Sequence, residues 1–199
     1  MKEMICISKG NRKVGKIPSV SLPPIVTCPY KCKGCYAAKL CRIYPNVRES
    51  YERNYSVYQN DPDLYWSEVG KALSTARFFR FHVSGDIPDY RYLEKMVETM
   101  RNNPNCTALC FTKRYGFVNR WIAENGDLPE NLKLIFSIWP GFPYENPYDL
   151  PTAHVRFRNG ITTAPDNAIE CYGNCTDCVV AGCGCWKLGK GEAVAFKQH

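Results

Sequence analysis

The sequence predicts an α/β protein: a parallel sheet with helical crossovers, forming a partial (β/α) barrel, followed by a cysteine-rich C-terminal tail. Three observations predict it. Short apolar runs alternate with segments of helical spacing, residues able to do chemistry recur just past each run, and eight of the twelve cysteines fall in two tight groups at either end of the alternation.

The elements follow in order. Lys16 to Leu22 reads as an extended stretch that stops at Pro23-Pro24, which cannot continue a central ladder. Tyr36 to Arg42 and Val47 to Gln59 read as helices with a break at Pro45. Asp61 before Pro62 is a cap-plus-first-turn signal, and Leu64, Val69, Leu73 and Ala76 keep helical spacing behind it. Phe78 to Val83 is strand-like and ends at Ser84-Gly85-Asp86; Tyr92, Leu93, Met96, Val97 and Met100 mark the next helix. Thr107 to Phe111 as strand, Val118 to Asn125 as helix, Leu132 to Ile138 as strand and His154 to Phe157 as a last strand complete the alternation. The expected organisation is one unit, with residues 1–165 as the α/β part and 166–199 as a metal-binding tail packed on it. In parallel sheets active groups gather at strand C-termini, so the first cysteine loop, Ser84-Gly85-Asp86, Thr112-Lys113-Arg114 and Trp139 are expected on one face.

Composition narrows the function classes. Hydrophobic residues at 45% and charged ones at 23% exclude disorder and coiled coil. Met1 to Val20 carries Lys2, Lys9, Arg12, Lys13 and Lys16 without an apolar run, so no secretory signal is read there, and no stretch is long enough to span a bilayer. Cysteine-rich chains without such a signal belong to a reducing compartment, where clustered cysteines are metal ligands rather than disulfides. A cytoplasmic setting is expected. The formal net charge of +7 is reduced once ligand thiols ionise, so nucleic acid is a permitted partner and not an indicated one.

The sharpest motif is Cys28-Pro-Tyr-Lys-Cys32-Lys-Gly-Cys35, whose short spacers force three thiolates together. Three ligands suit a 4Fe-4S cube with one open iron better than structural zinc, which takes four. Half of a zinc knuckle, with Cys28 a bystander, is the other reading. On this loop and the order of elements, Lys16 to Ile138 resembles the radical S-adenosylmethionine superfamily. There the open iron chelates the amino and carboxylate groups of S-adenosylmethionine, and an electron from the cluster cleaves the sulfonium to a 5'-deoxyadenosyl radical.

The resemblance implies roles for further residues. Ser84, Gly85 and Asp86 stand where that superfamily has a Gly-Gly-Glu stretch holding the methionine amino group, Ser137 where it contacts ribose or carboxylate, and Tyr36 beside its aromatic at the third cysteine. Lys113 would balance the cofactor carboxylate. The chain departs from the pattern in having Gly34 before Cys35, Asp86 in place of Glu, and about five strands. Without the resemblance, Ser84-Gly85-Asp86 is an ordinary turn, Ser137 a packed strand residue, and Lys113-Arg114 a solvated pair.

A second constellation, Cys171-Tyr-Gly-Asn-Cys175-Thr-Asp-Cys178 followed by Cys183-Gly-Cys185-Trp186, repeats the first spacings. Cys171, Cys175, Cys178 and Cys185 can supply four corners of a second cluster, with Cys183 the spare; tetrahedral zinc is the alternative occupant. The chain is also similar over its whole length to the phage-encoded gene-product-eighty-eight family. Cys35-Tyr36-Ala37, His82 to Asp86, Thr112-Lys113, Cys185-Trp186 and Val194-Ala195-Phe196 carry that similarity. It implies shared architecture and a viral origin, hence the cytoplasm of an infected cell, and names no substrate.

Cys6, Cys41, Cys106 and Cys110 read as structural thiols, with Cys41 an alternate ligand, and His82 as a hydrogen-bonded core residue. The aromatic, proline-rich stretch from Trp139 to Tyr148 is either a lid or a rigid connector. Three functions compete. The first is an iron-sulfur enzyme cleaving S-adenosylmethionine with an auxiliary cluster, an electron donor and an unknown substrate; its catalytic acid or hydrogen donor is unassigned. The second is a non-enzymatic module, stapled by zinc or iron-sulfur, that binds nucleic acid or a host protein. The third is an electron carrier.

Overall fold

The computed structural model describes residues 4–198. Seven strands form one all-parallel sheet in the order β1-β2-β3-β4-β5-β7-β6. They are β1 (Ser19–Val20), β2 (Phe78–Phe81), β3 (Thr107–Thr112), β4 (Leu132–Ser137), β5 (Thr152–Arg156), β6 (Ile169–Glu170) and β7 (Ala193–Lys197). Six helices accompany them: α1 (Tyr36–Ile43), α2 (Pro45–Asn60), α3 (Pro62–Thr75), α4 (Tyr90–Arg101), α5 (Tyr115–Asn125) and α6 (Cys175–Ala181), with a 3₁₀ turn at Gly184–Trp186. The parallel α/β class is as expected. The strand order describes an open sheet with β1 and β6 at its edges, and no barrel closure.

Local chemistry sets the helix ends. Pro45 and Pro62 occupy first turns, where a missing N–H is no loss. Asp61 accepts from Leu64 N at 3.0 Å and Asp89 from Tyr92 N at 2.8 Å, capping α3 and α4. The α4 stripe of Tyr92, Leu93, Met96, Val97 and Met100 is buried throughout, each side chain contributing about 1.5–3 kcal/mol. It joins Phe79 and Phe81, from one face of β2, in the main core beneath the helices. The other face of the sheet bears Leu109, Ile135, Ala153 and Val194, covered by Cys178, Cys185, Trp186 and Leu188.

Within residues 166–198, part of the stretch expected as a metal-binding tail packed on the α/β part, β6 and β7 join the sheet itself. β7 pairs with β5 from Thr152↔Ala193 to Arg156↔Lys197, and α6 lies against the N-terminal arm. There Cys175 N donates to Lys13 O at 3.2 Å and Lys16 N to Thr176 Oγ1 at 3.0 Å. Gly15 permits this contact: at φ +67°, a Cβ would stand 2.0 Å from Thr176 Oγ1.

Candidate metal and cofactor site

β2 ends two residues earlier than its apolar run suggests, because His82 turns into the left-handed region at φ 55°. The following Ser84-Gly85-Asp86 bend is therefore brought back against the end of β1. Leu22 N donates to Ser84 O at 3.0 Å. Gly85, at φ +80°, approaches so closely that a Cβ would lie 2.6 Å from Leu22 O, which makes glycine a requirement here.

Asp86 is the hub of the network that builds the site. Its Oδ1 accepts from Ile87 N at 2.8 Å and Thr112 Oγ1 at 2.5 Å, and its Oδ2 from Lys113 N at 2.8 Å. Its own N–H donates to Thr27 Oγ1 at 3.0 Å, and that hydroxyl donates to Pro23 O at 2.9 Å. The turns after β1, β2 and β3 are thus one hydrogen-bonded unit. Burial pushes the Asp86 carboxyl up, against the opposing pull of the Thr112 and Lys113 bonds. With four acceptor positions and three donors, the carboxylate keeps one position on Oδ2. Lys113 then extends over the cavity, its Nζ donating to Ser137 Oγ at 3.0 Å.

One cavity of about 220 Å³ lies at the C-terminal ends of the strands. Cys28, Cys32, Cys35, Tyr36, Ser84, Gly85, Asp86, Lys113 and Ser137 all line it. So do Cys171, Cys175, Cys178 and Cys185, whereas Cys183 stands behind, its N–H donating to Cys178 O at 2.9 Å. The two cysteine groups therefore share a single chamber, a juxtaposition that their separation in sequence does not reveal. Among the described residues no three or more His, Cys, Asp or Glu side chains are arranged to hold a single metal ion.

The thiols on the cavity wall are half-buried, and those of Cys178 and Cys185 buried. Burial pushes Cys28 up to about 11, with Asp86 adding to the effect, and Cys185 up to about 12 despite the nearby Arg80. Cys32 and Cys171 are raised for the same reason. Tyr36 donates its hydroxyl to Val83 O, pinning the start of α1 to the end of β2, and burial of that hydroxyl raises it to about 12. Its ring lies 4.6 Å from Lys13 Nζ.

The donor set suits an occupant. Three buried polar groups on the cavity wall, Ser84 Oγ, Arg80 Nε and Trp186 Nε1, have no hydrogen-bond partner among the described residues. Such orphans are uncommon in folded proteins and point to an occupant that completes them. The first cysteine set faces Ser84, Asp86 and Lys113, a mixture that fits a zwitterionic group beside a thiolate-held cluster. The second faces Arg80, Trp186 and Lys13.

Sequence reasoning missed Arg80, Lys13, Thr27 and Trp186. Arg80 carried a legible signal, being a charge embedded in Phe78-Phe79-Arg80-Phe81, a run otherwise suited to burial on both faces. Lys13 carried none. Arg114, paired in expectation with Lys113, points elsewhere: its Nε donates to Ile87 O at 2.9 Å and its Nη2 to Thr27 O at 2.9 Å, clamping the turns from outside the cavity. Cys106 and Cys110 lie in the core. Cys41, the alternate ligand, faces an outer groove with Cys32 and Cys35 rather than the main cavity. His82 is buried and neutral, held at about 3 by desolvation, with Nε2 3.0 Å from the Tyr92 hydroxyl. The proline-rich stretch stacks Phe142 on Tyr30 of the first cysteine loop at 4.4 Å and brings Trp139 to the cavity.

Among the described residues no helix is long and apolar enough to cross a membrane. No curated protein and no solved structure matches the chain. A family model described as gene product 88 matches residues 5–140, most of the sequence, and the chain belongs to that family.

Proposed function

We propose that this gene product 88 family member holds a 4Fe-4S cluster on Cys28, Cys32 and Cys35 and binds S-adenosylmethionine at the iron those ligands leave open. It cleaves that cofactor reductively, with Cys171, Cys175, Cys178 and Cys185 as an auxiliary cluster site. The observation that carries this reading is convergence. The residues that would ligate the cluster and those that would hold the cofactor come from four separate strand ends and line one cavity.

When bound, the cluster supplies the electron that breaks the sulfonium bond. The chain's own residues do the rest. The unpartnered Ser84 hydroxyl and the remaining acceptor position on Asp86 Oδ2 receive the amino group. Lys113 and Ser137, already bonded to each other, meet the carboxylate or ribose. Gly85 lets the backbone come close, and Tyr36 fixes the helix that follows the cysteine loop. Trp139 and Tyr30, the latter stacked on Phe142, line the cavity and limit water there. The reading requires an external electron donor and carries with it a reducing cytoplasmic setting in a phage-infected cell.

A second reading is favoured by the outer face of the first cysteine loop. Lys31, Lys33, Lys39 and Arg42 are exposed there beside Ile25, Val26 and Ile43, with no acidic residue between positions 25 and 48. On this reading the metal staples a module that docks an acidic partner, nucleic acid or a host protein.

The experiment is anaerobic purification with iron, sulfide and zinc quantified, then electron paramagnetic resonance of the reduced protein with and without S-adenosylmethionine. Iron and sulfide in equal amounts, a signal altered by the cofactor, and loss of that alteration in a folded Cys32→Ala variant support the enzyme. A signal indifferent to the cofactor, or zinc at the first site, overturns it in favour of the module.

A further inference from the structure

The cavity wall opposite the first cysteine loop holds a charge that the proposed cofactor chemistry does not use. Arg80 is 7% exposed, on β2 between β1 and β3. Its guanidinium stacks 4.5 Å from the Phe111 ring, its Nη1 reaches Cys175 Sγ at 3.8 Å, and its Nε has no partner. No carboxylate forms an ion pair with it among the described residues. A buried guanidinium without an anion is strongly unfavourable. The surrounding groups that can become anionic are Tyr36, Cys110, Cys171, Cys175 and Cys185, and of these the last three are thiols of the second cysteine group. As neutral thiols they leave the charge uncompensated; as metal-bound thiolates they compensate it.

We propose that Cys171, Cys175, Cys178 and Cys185 hold a four-thiolate iron-sulfur cluster, with Arg80 as its counter-charge and, together with the Trp186 indole, as its N–H donor to sulfur. Four thiolates around an iron-sulfur cube with a 2+ core leave the centre a dianion. Arg80 and Lys13 face it from the sheet and from the N-terminal arm. The indole of Trp186 is buried beside Cys185, held edge-on against Phe78 at 5.3 Å, and also lacks a partner. N–H donors to ligand sulfur lower its basicity, which slows protonation and release of the metal and raises the reduction potential of a redox-active centre. The inference deepens the reading of this wall as an auxiliary site, and it stands whether or not S-adenosylmethionine binds.

The test isolates the second site in the full chain carrying Cys28→Ser, Cys32→Ser and Cys35→Ser. This protein is purified anaerobically, and its iron, sulfide and zinc are counted. Iron with equal sulfide identifies the cluster, and zinc alone, a mononuclear centre, overturns it. In the same background, Arg80→Gln is expected to lose metal to a chelator at least tenfold faster. Arg80→Lys, which keeps the charge but not the guanidinium N–H groups, and Trp186→Phe should shift less in the same direction. The midpoint potential of the cluster falls in the same order. A folded parent without metal, or release from Arg80→Gln at the parent rate, overturns the proposal. Should Arg80→Gln fail to fold by circular dichroism, unchanged release in both Arg80→Lys and Trp186→Phe overturns it equally. Failure of S-adenosylmethionine to perturb the intact chain bears only on the first site.

Discussion

The Thr112 hydroxyl donates to Asp86 Oδ1 at 2.5 Å, joining the turn after β3 to the turn after β2 at the floor of the cavity. Because Asp86 also accepts from two backbone N–H groups, its carboxylate holds the site together as well as facing it. Asp86→Asn puts an amide where a donor already points. We expect a loss of about 1–3 kcal/mol, read from urea midpoints. Thr112→Val should cost a similar amount, and the double variant less than the sum because the two residues share one bond. Additive losses would show that the bond contributes nothing in solution.

Gly85 and Gly34 both adopt positive φ, but they differ in their surroundings. A Cβ at Gly85 meets Leu22 O and Thr27 Oγ1 at 2.6 and 2.8 Å, whereas one at Gly34 meets nothing within 4 Å. Gly34→Ala should therefore cost about 1–2 kcal/mol, the price of the left-handed backbone alone. Gly85→Ala adds an overlap with backbone that cannot swing away, so its thermal midpoint should fall clearly further. Equal shifts would contradict the close approach of the two turns.

The two candidates for the last ligand of the second site can be separated by substitution. Cys185 lines the cavity and Cys183 does not. Cys185→Ser should remove one centre's worth of metal, while Cys183→Ser should leave the metal count unchanged in anaerobic preparations. The opposite pattern would move the ligand role to Cys183.

His82 sets an acid limit on stability. Desolvation lowers its folded pKa from the ordinary 6.5 to about 3. The unfolded chain therefore binds a proton that the folded chain refuses throughout that window. Its contribution is fully present above pH 6.5 and is lost as pH falls toward 3, by up to about 1.4 kcal/mol per pH unit. Replacing it by Gln should flatten the dependence of the urea midpoint on pH between 6.5 and 4. An unchanged slope would mean that the imidazole is protonated in the folded state.

Much of the fold was legible because periodicity and burial agree. The Tyr92, Leu93, Met96, Val97 and Met100 stripe is buried as its spacing requires, and five of the strands fall on the apolar runs. What was not legible depends on distant partners. β7 is a short run after Gly191 whose role appears only when it lies beside β5, and β6 has just two residues, both exposed. The early end of β2 arises at His82, whose left-handed backbone no local pattern signals. At the site, cysteine spacing and strand-end turns pointed to residues that the structure gathers around one cavity. That the two cysteine groups share a chamber depends on contacts such as Lys16 to Thr176, which have no signature in local sequence.

The position of β7 also bears on how the protein is made. It inserts between β5 and β6 although the ribosome delivers it after both. Until residues 193–197 emerge, β5 presents an unpaired parallel edge and β6 has no neighbour to lie on. The sheet is thus sealed late, by pairing of long sequence separation, the slow and aggregation-exposed kind of step. A chain stopped short of Ala193 would be left with that edge open, so production of the intact protein rests on the final stretch being translated and docked before nascent chains find one another.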